Sequence, residues 1–185
     1  SHFRAPRFRI LLSHDIDVPL KCSPLLSAVR ESAKALVKKK SFKEAFGSFS
    51  AYANWRKDPF YLGIQRLMKL SEHYGFQSIF YFMTSRKGPL DSGYDLTSKP
   101  YRDILQEVRS RGHQIGFHPG YVSFESDRIL AEEKARMSAA LGTGHYGCRQ
   151  HYLLFKVPDT WQKFDELGLI HDSTLTFQDQ AGFRC

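Results

Sequence analysis

The sequence predicts an α/β protein built from parallel strands as a distorted or partial (β/α) barrel. Two observations support this. Short apolar runs of strand length alternate with segments of helical periodicity along the chain. Polar residues also follow the ends of successive apolar runs, as they do where the carboxyl ends of barrel strands carry a binding site. The same alternation fits an open doubly wound sheet, and composition does not separate the two folds.

The first strand is predicted within 10–18, an apolar run that ends in Asp15 and Asp17. Because side chains of a strand alternate between faces, these two carboxylates point to one side and His14 points to the other. Adjacent like charges repel unless a cation or a shared proton offsets them. The strand therefore indicates metal binding or acid–base chemistry. The alternative is a pair of solvated aspartates at a strand end.

A basic helical pair is predicted after the first strand, and we assign residues 22–57 to this insertion. Ser23, which precedes a proline, is typical of a helix start, and Ser41 with Glu44 forms a capping box for the second helix. From position 21 to position 58, nine basic residues stand against three acidic ones, so this segment supplies most of the net charge of +8. Such a face is commonly just solvated. The alternative is contact with an anionic surface.

The remaining chain predicts four further strands, each preceded by a helix. The strands are rich in aromatic and β-branched residues, and glycines end several of the helices. Strands are predicted at 76–83, 113–118, 147–152 and 169–172, and helices at 59–74, 101–111, 124–141 and 161–167. Residues 84–98 and 173–185 are predicted as loops.

Polar side chains follow the predicted strands, and in a barrel they would share one rim. They are Asp15, Asp17, His118, Arg149, His151 and Asp172. A carboxylate with two histidines is a ligand set suited to zinc or another divalent ion. Such an ion lowers the pKa of bound water, a second carboxylate can accept the proton, and an arginine can keep that carboxylate ionised. Taken singly, each of these residues is more often a structural partner.

At these positions the chain resembles the polysaccharide deacetylases, carbohydrate esterases with a NodB homology domain. Residues 13–17 are similar to the family's Thr-Phe-Asp-Asp motif with one residue inserted. Residues 112–118, Gly-His-Gln-Ile-Gly-Phe-His, closely match the second motif. Residues 149–152 keep the Arg and Tyr of the third motif, and 172–173 fit the fourth. The resemblance covers most of residues 8–175.

The resemblance implies a distorted (β/α) barrel and a metal-dependent hydrolase that removes an acetyl group from a sugar or polysaccharide. Zinc is the ion that this ligand chemistry favours. By the same resemblance, Asp15 is the catalytic base and Arg149 orients it. Asp17 and His118 are metal ligands, and the N–H of Tyr152 helps the metal to stabilise the oxyanion.

Three departures from the family pattern leave alternatives open. Val122 stands where a second metal-binding histidine is usual, so we expect His151 to supply that nitrogen, with His14 as the alternative. The late Leu-x-x-His motif, which brings the general acid, is absent, so the C-terminal part of the barrel is expected to be missing. The inserted Ile16 leaves open whether the two aspartates exchange roles.

Two other functions fit the sequence. One is a catalytically inactive glycan-binding or scaffold module on the same fold. The other is an aspartyl phosphatase, which also begins with a strand and Asp-x-Asp but requires a later acidic pair and a lysine.

The expected partner is an acetylated sugar or polysaccharide, with Tyr94 and Tyr121 as candidates to stack on sugar rings. No nucleic-acid motif is present. No integral membrane segment is expected, because no apolar run approaches the roughly 18 residues that a spanning helix requires.

We expect residues 1–185 to form a single domain. Its three cysteines are an odd number without metal-type spacing, which is typical of free thiols in a reducing compartment. We therefore expect a cytoplasmic location, or an extracytoplasmic one if a signal segment has been removed.

Overall fold

The computed structural model describes residues 10–23, 25–177 and 180. Its strands are β1 (Leu12–Ile16), β2 (Ser78–Met83) and β3 (Gln114–His118). Its α-helices are α1 (Leu25–Lys39), α2 (Phe42–Ala53), α3 (Pro59–His73), α4 (Lys99–Ser110), α5 (Asp127–Leu141) and α6 (Asp159–Glu166). Short 3₁₀ turns lie at Trp55–Lys57, Val122–Glu125 and His151–Leu153. The mixed α/β class and the helical pair after the first strand are confirmed.

The described strands form an open parallel sheet in the chain order β1-β2-β3. Single parallel bridges from Phe117 to Cys148, and from Cys148 to Asp172, continue this order. The predictions of full strands at 147–152 and 169–172 are therefore wrong. Each of these segments makes a single bridge, at Cys148 and at Asp172. The end of the predicted strand is replaced by the 3₁₀ turn that begins at His151, because residue 152 has φ of 56°, which extended chain does not adopt.

The side of the sheet covered by helices holds the core. All six residues of β2 are buried, and its Phe80 and Phe82 join Phe117 of β3 in one cluster. Apolar residues at helical spacing fill the other side of this cluster. They include Tyr61, Ile64 and Met68 of α3, Ile104, Leu105 and Val108 of α4, and Leu130 and Met137 of α5. Burial of these stripes accounts for the position of the helices against the strands.

The opposite side of the sheet is polar and tightly packed. Asp15, Tyr81 and Gly116 are partners at one level across the three strands. A Cβ on Gly116 would lie 2.2 Å from the Tyr81 ring, so only glycine leaves room for that ring. The Tyr81 hydroxyl accepts a hydrogen bond from Ser173 Oγ at 2.9 Å and lies 3.2 Å from His171 Nε2. The tyrosine thus ties this face to the last bridged segment.

The helical pair packs through small residues. Ala28, Ser32 and Ala35 form the buried line of α1, and Ala45 and Ala51 are buried on α2. The Ser32 hydroxyl donates to the carbonyl of Ala45 at 3.0 Å. Small side chains allow the two helices to approach closely, which leaves their large apolar residues outside this contact.

Asp58 anchors the base of the pair. Its buried carboxylate accepts hydrogen bonds from the N–H groups of Lys21, Cys22 and Phe60 at 2.8–3.0 Å. The bond from Phe60 caps the N-terminus of α3, and the other two hold the segment that leads from β1 into α1. One side chain therefore fixes where the helical pair leaves the sheet.

Two of the three cysteines lie in the described residues. Cys22 and Cys148 are buried free thiols, whereas Cys185 lies outside the described residues. Burial raises the pKa of both thiols. In the ranges 10–23 and 25–177, no helix combines the length and apolar character needed to cross a bilayer.

Replacing Gly116 by alanine should destabilise the fold by about 1–3 kcal/mol, because the new methyl group forces the Tyr81 ring out of its place. Urea unfolding followed by circular dichroism measures this. Gly63→Ala on α3 is the matched control, since nothing lies within 4 Å of its added Cβ. That variant should gain about 0.5–1 kcal/mol from helix propensity. Equal stabilities for the two variants would contradict the packing described here.

Replacing Asp58 by alanine should cost about 2–4 kcal/mol, because several buried N–H donors lose their acceptor. Asp103→Ala is the control, since its carboxylate is paired with Lys99, whose side chain is 76% exposed. Breaking that pair should change the free energy of unfolding by less than about 1 kcal/mol. Urea midpoints of the two variants test this difference. An unchanged midpoint for Asp58→Ala would show that other contacts hold the base of the helical pair.

Candidate metal centre

An open cavity of about 540 Å³ lies where the carboxyl ends of β1 and β3 meet the turn after Cys148. Acidic, imidazole and guanidinium groups line one part of it, and hydroxyl, amide and apolar groups line the rest. The lining residues are Ser13, Asp15, Asp17, His118, Arg149, Gln150, His151, Tyr152, Leu153, Thr176 and Phe177. Side-chain alternation explains this arrangement, because Ser13, Asp15 and Asp17 share one face of the first strand.

Three of these side chains form a group that could hold a metal ion. Asp17, His118 and His151 offer ligand atoms that all lie within 4.8 Å of one another. Asp17 Oδ1 is 3.3 Å from His118 Nε2 and 3.8 Å from His151 Nε2. Both imidazoles are buried, whereas Asp17 is exposed to the cavity. The histidine expected to replace the usual second ligand therefore lies in the cluster.

The tautomer of each imidazole is fixed by the acceptor at its other nitrogen. His118 Nδ1 hydrogen-bonds the backbone carbonyl of Arg149, and a carbonyl oxygen can only accept. His151 Nδ1 lies 2.9 Å from the carboxylate of Asp91. Both Nδ1 atoms therefore carry the proton, which leaves a lone pair on each Nε2 in the neutral ring. Those lone pairs converge on the same Asp17 oxygen.

Converging lone pairs repel unless a positive charge lies between them. Two atoms that each bind zinc at about 2.0–2.1 Å with tetrahedral geometry are about 3.3 Å apart, close to the separation of Asp17 Oδ1 from His118 Nε2. The interaction with His118 lowers the pKa of Asp17, against the opposing effect of burial. The donor set thus fits a divalent ion, while its geometry does not identify which one.

Asp91 is a site residue that the sequence interpretation missed. Its buried carboxylate accepts from His151 Nδ1 and also from the N–H of Tyr121 at 3.0 and 3.1 Å. A carboxylate behind a histidine ligand fixes the ring and raises its basicity. The sequence offered one signal for this role. Asp91 is an acidic residue in the loop after β2, and loops commonly carry binding and catalytic residues. The partner histidine is 60 positions away.

The second strand-end carboxylate, Asp15, is held apart from this cluster by Arg149. The guanidinium donates from Nη1 to Asp15 Oδ1 at 3.0 Å and from Nη2 to Ser13 Oγ at 2.7 Å. Its Nε contacts both the carbonyl and the hydroxyl oxygen of Ser173 at 3.2 Å. The guanidinium carbon also lies 4.9 Å from the centre of the Tyr81 ring. Asp15 is therefore oriented and charge-compensated without being a member of the metal cluster.

Two polar residues considered for the site, His14 and Asp172, do not line the cavity. His14 faces the other side of β1, with its ring 5.0 Å from that of Phe80, and burial lowers its pKa. The alternative ligand is therefore not brought to the cluster. Asp172 is also absent from the cavity lining, because its Oδ1 accepts from Thr174 and lies beside Cys148 Sγ. Ser173, the next residue, takes the position against Arg149 instead.

The tyrosines predicted near the rim divide into two roles. Tyr94 is not part of the cavity lining, because its hydroxyl accepts from Met83 N and donates to Ile16 O, linking β2 to β1. Burial raises its pKa well above the usual range. Tyr121 instead makes an edge contact with Tyr152 at 5.6 Å, beside the metal cluster.

Tyr152 has a left-handed backbone, with φ 56° and ψ 15°. This conformation is unusual for a non-glycine residue and is common at functional turns. Its side chain stands against the ring of His151, with centroids 4.5 Å apart. In the described residues its N–H makes no backbone hydrogen bond, so the group is available to an external acceptor.

Comparison of the chain with protein-family models, curated proteins and solved structures found no match.

His118→Ala should abolish stoichiometric zinc binding, because it removes one of three protein ligands. Asp91→Asn should keep the fold and weaken zinc about 10–100-fold, because the amide orients His151 less strongly. Isothermal titration with zinc, after chelator treatment, measures both effects. His73→Ala, an exposed histidine at the end of α3, is the control and should bind as the parent does. Stoichiometric zinc retained by His118→Ala would refute this ligand set.

Proposed function

We propose that the protein is a metal-dependent hydrolase that removes an acetyl group from a sugar or polysaccharide, with zinc as the favoured ion. One observation carries the proposal. Asp17 and two imidazoles with free Nε2 lone pairs converge in the same open cavity in which Arg149 holds a separate carboxylate, Asp15. A ligand group beside an independent proton acceptor is the arrangement that metal-assisted hydrolysis requires.

The sequence motifs and the sheet order support a (β/α)-barrel origin for this site. The strands and the two single bridges follow the chain order, and the groups of the cavity come from the carboxyl ends of neighbouring segments. In barrels, sites are built at this end. We propose that the described sheet is part of such a barrel and that the chain is a divergent polysaccharide deacetylase.

In the proposed mechanism, Asp17, His118 and His151 would hold the ion. A bound divalent ion would lower the pKa of water and polarise the acetyl carbonyl. Asp15 accepts the proton of the attacking water, because its carboxylate lines the cavity and one of its oxygens is held by Arg149 Nη1 at 3.0 Å. The rigid guanidinium, bonded to three partners at once, restricts Asp15 to one orientation and so reduces the entropy lost on reaching the transition state.

The N–H of Tyr152 is the proposed donor to the oxyanion that forms when water attacks the carbonyl carbon. It has no backbone acceptor among the described residues and lies next to His151 in the chain. Collapse of the tetrahedral species then breaks the bond to the sugar nitrogen or oxygen. The protonated Asp15 returns its proton to that leaving group, which yields acetate and the free amine or hydroxyl. One carboxyl group thus serves as base and then as acid.

Aromatic side chains at the mouth support a sugar as the substrate. Tyr152 and Phe177 line the cavity, and Tyr121, which lies outside this lining, meets Tyr152 edge to face. Tyr121 and Tyr152 are 37% and 51% exposed. Such rings offer flat apolar faces with polar edges. We propose that they hold the sugar ring while the acetyl group points to Asp15.

The glycan-binding module is the second candidate. It is favoured because, among the described residues, the cavity lining holds no histidine besides the two proposed ligands, and His171 contacts Tyr81 instead. The phosphatase is disfavoured, because no lysine lines the described cavity and the two converging imidazoles would have no role.

Asp15→Asn should lower kcat for acetate release about 10²–10⁴-fold, because the amide cannot accept the water proton. Zinc affinity should stay close to that of the parent, since Asp15 is outside the ligand group. Acetate release from N- and O-acetylated oligosaccharides, with the zinc-loaded protein, measures the first effect and calorimetry the second. Asp103→Asn, on α4 and away from the cavity, is the control.

Removal of the metal by a chelator should abolish turnover, and added zinc should restore it. If the zinc-loaded protein binds acetylated oligosaccharides and releases no acetate from any of them, the hydrolase proposal fails and the binding module is supported.

A further inference from the structure

The turn between α1 and α2 exposes large apolar side chains beside lysines. Val37, Phe42 and Phe46 are 78%, 83% and 76% exposed. The lysines of the same turn are Lys38, Lys39, Lys40 and Lys43. We call these seven residues the tip patch. Single exposed apolar residues are normal on protein surfaces, but a cluster with one sign of charge marks an interaction site.

The tip patch has a defined structure. The N–H of Ser41 donates to Ala35 O at 3.0 Å, and Ser41 Oγ accepts from Glu44 N at 3.2 Å. Lys40 takes the left-handed conformation, with φ 50°, that ends α1. Ser41 is the N-cap of α2, and Phe42 and Phe46, four residues apart, lie on one side of this helix. The exposed rings are therefore displayed by an ordered helix start.

The tip is also displaced from the rest of the molecule. Asp58 holds the base of the pair, and α1 has 15 residues, so its far end lies about 22 Å along the helix axis. A groove along the pair is lined by Lys38 and Lys39 of the tip patch and by Lys21, Lys34 and Lys57, with Glu31 paired to Lys21 and Lys34. The pair thus carries its unpaired positive charge and its exposed apolar side chains together at its end.

The charge of the tip patch is largely uncompensated. Lys39 pairs with Glu44 at 2.8 Å. In the described part of the chain, Lys38, Lys40 and Lys43 make no ion pair. An occupant of this surface must therefore bear negative charge and also accept apolar side chains.

Of the possible occupants, a lipid surface matches both requirements. Lysine is depleted at protein–protein interfaces, where its ammonium group would lose water. Nucleic-acid sites favour arginine, whereas every cation of the tip patch is a lysine. At a bilayer, apolar side chains enter the acyl boundary, while lysine stems reach back to place ammonium groups among anionic headgroups.

We propose that the tip patch docks the protein on the surface of a bilayer that contains anionic lipid. The contact is interfacial, with Phe42, Phe46 and Val37 inserted and Lys38, Lys40 and Lys43 in the headgroup layer. It does not depend on the proposed hydrolase activity, since no residue of the tip patch lines the candidate metal centre.

Flotation of the full chain with vesicles tests the proposal. One set is phosphatidylcholine alone, and the other contains about one third phosphatidylglycerol. The protein should float only with the second set, and raised salt should weaken the binding. Lys38→Glu with Lys43→Glu should lower vesicle affinity by at least about twentyfold, because each lysine contributes about fivefold.

Phe42→Ser with Phe46→Ser separates insertion from simple charge attraction. Both side chains are largely exposed, so the fold should survive, which circular dichroism checks. The affinity of this variant for the vesicles should fall at least about tenfold, although the variant keeps every lysine. Leu70→Ser with Ile170→Ser replaces exposed apolar residues elsewhere, which are 55% and 61% accessible, and Lys69→Glu with Arg102→Glu makes the matched charge change on α3 and α4. Both controls should bind as the parent does.

Three results would overturn the proposal. The first is no flotation with the phosphatidylglycerol vesicles at low salt. The second is unchanged affinity after the phenylalanine replacements, which would indicate adsorption by charge alone. The third is a dimer in light scattering, or tight binding of a single-stranded oligonucleotide, that disappears with the same replacements.

Discussion

His118 and His151 each donate from Nδ1 to an acceptor that the fold holds in place, and the candidate site depends on these two hydrogen bonds. The acceptors are the carbonyl of Arg149 and the carboxylate of Asp91. With both Nδ1 protons committed, the Nε2 lone pairs can face only the cavity and Asp17. If either acceptor were lost, its ring could rotate or change tautomer, and the ligand group would have two members instead of three.

Arg149 links this metal cluster to the proposed proton acceptor. Its carbonyl fixes His118, while its guanidinium bonds Ser13, Asp15 and Ser173. One residue thus holds the end of β1, the end of β3 and the last bridged segment. Because its donors are already in place before any substrate binds, little reorganisation remains for the reaction. The Tyr81 ring, which packs closely on Gly116, lies 4.9 Å from the carbon of the same guanidinium.

Local sequence signals predicted most of the fold. Capping residues and apolar spacing identified the helical pair and α3 to α6 within a few residues, because such signals act over one or two turns. The fourth strand was wrong because Tyr152 and Leu153 adopt positive φ, which their residue types do not indicate. The exposure of Phe42 and Phe46 was not predicted either. Their spacing matches a buried stripe, and only the packing of α1 on the small residues of α2 shows that nothing covers them.

The sequence by itself determined the α/β class, the side on which Asp15 and Asp17 lie, and the residue types able to bind a divalent ion. These follow from strand alternation and ligand chemistry, which are local properties. Only the tertiary structure decided that His151 joins the cluster, that Asp91 stands behind it, and that Asp172 turns away. Those outcomes depend on backbone dihedrals and on contacts between segments up to 134 residues apart, and no local pattern encodes such distances.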